Sequence, residues 1–155
     1  MKRAWAVIMI IALLMGTAVA EETYGWVMCQ PDSRVNIREK ASRKAEIVAI
    51  GYMGDKILLD GKKHGKWVHC IIPCETGEGW IREDFLSIDE PEDVGTGVFV
   101  VTNNKTFARR SAGGSIRKTL NKGDTVTVYM LTVEWSVTSQ GFMKTRYLCE
   151  VTNGL

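Results

Sequence analysis

The chain is written twice. Arg38, Gly54-Asp55 and Trp67 recur in the same order as Arg109, Gly123-Asp124 and Trp135. The run "GWIREDFLS" (79–87) then lies over "GFMKTRYLC" (141–149), with glycine on glycine, aromatic on aromatic and basic on basic. The separation of matching landmarks falls from 71 residues to 69, 68 and 62, so the second copy loses residues at turns. A period of this kind confines the chain to two copies of one supersecondary unit of about 60 residues.

The unit is built of strands. Short β-rich runs ("YGWVMC", "RVNIR", "EIVAI", "KWVHCII", "VFVVT", "TVTVYML") are separated by turn residues at intervals of eight to twelve positions. Asp60-Gly61 and Gly113-Gly114 read as two of those turns. Regular short strands with such punctuation predict an all-β fold of small barrels or sandwiches. Residues 88–97, "IDEPEDVGTG", are acidic, carry Pro and Gly and have no apolar period, which predicts a linker.

The order of landmarks carries a resemblance. A strand of N-x-R type enters a small-residue loop; an apolar run, Gly-Asp, a Trp-started strand, a tight turn, "GWI" and a final "FL" follow. Residues 35–87 resemble the bacterial SH3 domain family in these features, and residues 106–148 resemble it more loosely. The resemblance implies two SH3-like β-barrels in tandem, at 21–88 and 98–155, joined by the acidic linker 89–97. Phe107 stands where the first copy has Asn36, and Phe142 where it has Trp80. In such a barrel Val35 and Ile37 point inward while Asn36 and Arg38 face out or cap the turn. Structural duty for Arg38, bonding loop carbonyls, is then expected, because loop backbone groups need partners.

The ends and the charges set the compartment. "MKR", a twelve-residue apolar core (4–15) and a small-x-small motif ending at Ala20 predict a signal peptide over 1–20, cleaved after Ala20. The expected mature protein is secreted and has no transmembrane span. Its charge is uneven: residues 21–93 hold 10 basic and 15 acidic side chains, whereas residues 94–155 hold 8 and 3. That asymmetry points to an anionic partner for the second half or to attraction between the halves. Four cysteines (Cys29, Cys70, Cys74, Cys149) in an exported chain predict disulfides, one of them within the first half and using Cys29.

Catalytic constellations are poorly supported. His64 lies in a Lys/Gly turn, and His69 adjoins Cys70 on a strand, where neighbouring side chains point to opposite faces. The spacing of His64, His69, Cys70 and Cys74 matches no paired zinc motif, and neither a metal nor any other cofactor is expected. Aromatic residues are the better lead, because an aromatic face with polar neighbours suits extended peptides or sugar rings. Trp67 and Trp135 are expected in the core, while Tyr52, Trp80 and Tyr147 are expected to line a ligand groove. Arg109 and Arg110 join them, since guanidinium groups grip carboxylate or phosphate bidentately. The resemblance implies a non-catalytic protein that binds cell-wall peptidoglycan, another envelope polymer or a peptide. The alternative is an extracellular adaptor whose basic second half docks an acidic protein. Nucleic acid is not an expected partner.

Overall fold

The computed structural model describes residues 22–72 and 77–151; the expected signal peptide and Cys74 lie outside these residues. The described chain is almost entirely β, in two antiparallel seven-stranded sheets. The first contains β1 (Thr23–Val27), β2 (Val35–Arg38), β3 (Ile47–Gly51), β4 (Lys56–His64), β5 (Trp67–Ile72), β6 (Gly77–Arg82) and β7 (Leu86–Ser87). The second contains β8 (Asp93–Val101), β9 (Thr106–Arg109), β10 (Ile116–Leu120), β11 (Thr125–Leu131), β12 (Trp135–Thr138), β13 (Gly141–Lys144) and β14 (Leu148–Glu150). Their strand orders, β3-β2-β6-β5-β4-β1-β7 and β10-β9-β13-β12-β11-β8-β14, are the same order seven strands apart. A single turn of 3-10 helix precedes the last strand of each sheet, at Glu83–Phe85 and Thr145–Tyr147.

The repeated landmarks are repeated hydrogen bonds. The Asp55 carboxylate accepts from the Tyr52 amide at 2.7 Å, and the Asp124 carboxylate accepts from the Asn121 amide at 2.9 Å. Between them Gly54 and Gly123 take φ of 86° and 95°, where a side chain would be strained. Each glycine amide donates to the same point of its first long strand, Val27 or Val101. The Gly-Asp pair is therefore the clasp that fastens a turn to the sheet. At Gly141 a Cβ would collide with the Arg109 carbonyl, so glycine lets β13 approach β9.

Alternation along the strands builds one core per sheet. Val35 and Ile37 are buried while Asn36 and Arg38 are half-buried, and these valine and isoleucine side chains join Val27, Ile57, Leu59, Val68 and Ile81. The second core gathers Val101, Ala108, Leu120, Val126, Val128 and Met143. A third cluster joins the halves: Met28 packs with Met130, Val137 and Phe142, and Phe85 meets Phe142 edge-on with ring centroids 6.2 Å apart.

Three expectations are corrected. Strand β8 begins at Asp93, inside the stretch read as a linker, because Val94, Gly97, Val98 and Phe99 pair with β11. Asp60-Gly61 is a bulge inside β4 instead of a turn: pairing jumps from Leu59–Cys70 to Lys63–Val68, and the reversal comes at Gly65. Among the described residues Cys29, Cys70 and Cys149 are free thiols, so no disulfide joins any two of them; a bridge to Cys74 falls outside these residues. Cys29 and Cys70 instead fill the first core as small apolar groups, with burial raising both thiol pKa values, Cys70 to about 11.

Candidate ligand-binding grooves

Arginines 38 and 109 close the loops that follow β2 and β9. Arg38 Nη1 donates to the Ala45 carbonyl at 2.6 Å, and Arg109 Nη1 donates to the Gly114 carbonyl at 2.7 Å. The same residue type at the same place in each copy thus supplies a missing partner to loop backbone. Arg109, expected as a ligand contact, has this tether as its first role.

Beside each tether lies a groove, and the two grooves are made of matching positions. In the first half Asn36, Arg38, Trp67, Arg82 and Phe85 line it; in the second, Phe107, Arg109, Trp135, Lys144 and Tyr147 do. The residues come from corresponding elements: β2 or β9, the start of β5 or β12, the end of β6 or β13, and the 3-10 turn. Trp67 and Trp135, expected in the core, are half-buried: Trp135 packs against the cluster that joins the halves, and each also forms groove wall. Strand pairing explains this. Each opens a strand at the sheet's end, opposite a basic residue: Trp67 pairs Arg82 and Trp135 pairs Lys144. The Lys144 ammonium lies 4.2 Å from the Trp135 ring centroid, a cation–π contact.

The two grooves differ in surroundings. The second is smaller, about 300 Å³, and its charged lining is Arg109, Lys144 and Arg146. The first opens into a cleft of about 530 Å³ where the halves meet. There Asp84 takes the position that Arg146 holds in the second copy. Its carboxylate accepts from Arg82 Nε at 2.7 Å and Nη2 at 2.8 Å, and from the Ser111 hydroxyl at 2.9 Å. Its carbonyl accepts from the Ala112 amide at 3.1 Å, so Asp84 latches one half to the other. Burial pushes the Asp84 carboxyl pKa up, but the Arg82 and Ser111 hydrogen bonds outweigh it and the net shift is downward.

The expected groove residues do not converge. Tyr147 and Arg109 share the second groove. Arg110 lines the cleft between the halves. Tyr52 is 55% exposed beside Pro31 and Arg34, and Trp80 lies with Lys40 and His64. Trp80 packs edge-on against His69 at 4.9 Å, and the bulge in β4 brings Asp60 Oδ2 to 2.8 Å from His69 Nδ1. His69 is thus held by Asp60 and Trp80, away from Cys70, whose thiol donates to the Gly79 carbonyl. His64 is exposed. The sequence reading missed Arg34, Arg43, Lys66, Arg82 and Asp84. The usable signal was the repeat itself, which places Arg82 over Lys144 and Trp67 over Trp135.

Among the described residues no helix is long and apolar enough to cross a membrane. No family model matches the chain, and no curated protein matches it. Among solved structures it is similar to NlpC1 from Trichomonas vaginalis, with a TM-score of 0.35 and 16% identity over 82% of this chain and 45% of that one. It is also similar to NlpC2 from the same organism, with a TM-score of 0.33 and 15% identity over 83% of this chain and 48% of that one. The chain spans less than half the length of either structure.

Proposed function

We propose that this chain is an exported, non-catalytic binding protein, two SH3-like barrels in tandem that attach to cell-wall peptidoglycan or another envelope polymer. The observation that carries this reading is the pair of matching grooves, each with a tryptophan wall, an arginine tether and a basic partner. A repeating polymer offers the same chemical group at successive positions, and a repeated groove engages two of them at once. The second engagement is then intramolecular, which raises avidity by roughly 10²–10⁴ over one groove where the spacing allows both. Aromatic walls beside cations suit sugar rings and the peptides that carry carboxylates. Co-sedimentation with purified sacculi tests the reading. The full chain pellets with sacculi, Trp67→Ala or Trp135→Ala alone weakens pelleting, and the double substitution abolishes it. A protein that stays in the supernatant at every salt concentration refutes the proposal.

An adaptor reading is favoured by one feature, a second groove whose charged lining is wholly basic. It predicts no sedimentation with sacculi but capture by an acidic protein, lost in Lys144→Glu.

A further inference from the structure

We infer that the cleft between the two halves is an oxyanion site that takes carboxylate or phosphate groups of an extended anionic ligand, with cations supplied by both halves. The inference deepens the binding reading above by naming the chemistry that the first groove accepts.

Six basic side chains line the cleft, Arg34, Arg38, Arg43, Lys66, Arg82 and Arg110, against one carboxylate, Asp84. Two are already committed, Arg38 to the Ala45 carbonyl and Arg82 to Asp84. Asp84 in turn is committed to Arg82 and Ser111, so it is not free to neutralise the others. Arg34, Arg43, Lys66 and Arg110 make no side-chain hydrogen bond or ion pair among the described residues, where the charged pairs are others.

The placement runs against the overall charge. The first half holds 15 acidic and 10 basic side chains, yet five of those ten basic residues line this one cleft. Like charges gathered around a concave surface repel one another and focus a positive potential, a cost relieved when an anion enters. Arginine is the suited cation, because its planar fork meets carboxylate and phosphate oxygens in pairs. Trp67 and Phe85 supply apolar wall beside the charges. The second half contributes Arg110, next to Ser111, which is bonded to Asp84. The latch that holds the halves together therefore also brings the Arg110 cation to the cleft.

Calorimetric titration of the full chain with hexaglutamate and, separately, with tripolyphosphate tests the inference. Saturable binding of at least one probe is expected, weakening as salt rises. Arg43→Glu and Arg110→Glu, both at exposed positions, each reduce affinity by roughly tenfold or more, since each removes one charge contact and adds a repulsion. Lys105→Glu, a charge reversal of equal size outside the cleft, leaves affinity within about twofold. Preference for hexaglutamate identifies a carboxylate source, and preference for tripolyphosphate a phosphate source. Absence of saturable binding overturns the inference, as does an equal loss from all three variants. Probe binding without sedimentation on sacculi upholds the oxyanion site while ending the cell-wall reading; sedimentation with no probe binding does the reverse.

Discussion

Replacing Asp84 with alanine removes the side-chain half of the latch between the two sheets. The carboxylate holds two hydrogen bonds from Arg82 and one from Ser111, and its side chain is 11% exposed against 19% for Arg82. Removing one member of a fully buried ion pair costs about 3–5 kcal/mol, because the other charge is stranded. Arg82 borders an open cleft where water can rehydrate it, so the expected loss is smaller, about 2–3 kcal/mol. For a chain of this size that is a fall in Tm of roughly 4–12 °C. Urea unfolding followed by circular dichroism measures it directly. The pH dependence separates charge from shape. The folded-state carboxyl titrates below its ordinary value of 3.8, so its contribution is complete above that value. It is lost as pH falls through the lowered one. The stability gap between wild type and Asp84→Asn should therefore be full at neutral pH and begin to narrow only as pH falls below about 3.8. A loss under ~0.5 kcal/mol for Asp84→Ala, the size of an ordinary surface change, would refute the latch.

Phe142→Ala empties the centre of the cluster between the halves and should destabilise the chain by about 3–5 kcal/mol in the same urea assay. The Lys62 ammonium, the largest cause, together with His69, holds the Asp60 carboxyl at about 2, so carbon-detected NMR titration should find it ionised at pH 3. Lys62→Met should move that midpoint up towards 3.8. Of the thiols at Cys29, Cys70 and Cys149, only exposed Cys149 should be labelled rapidly by a thiol reagent in the native protein. Cys70 should react only on unfolding, because burial keeps its pKa near 11 and its thiolate scarce.

Particular residues separate what was readable in advance from what was not. Arg38 could be assigned its loop tether because the requirement is local: a loop carbonyl seven residues on needs a donor. The Gly-Asp clasp was visible only as a repeated landmark, its purpose supplied by the turn it closes. Asp60-Gly61 misled, since a bulge and a turn draw on the same residues and differ only in what the partner strand does. Trp135 packs against the core as expected and also walls a groove, whereas Trp67 is half-buried groove wall. A large apolar side chain on a strand predicts partial burial, and the remaining face becomes core or groove according to what lies across it.

The amino-acid order by itself determined the all-β class and the doubling, since alternation, turn chemistry and self-similarity are properties of neighbouring residues. It also determined the tethers and clasps that span a few positions. Only the tertiary structure decided where the halves touch, and with it the Asp84 latch, the Phe85–Phe142 contact and the gathering of arginines from an acidic half. Those features depend on the relative placement of two bodies. Summed charge and hydropathy along a chain carry no information about which side of each body faces the other.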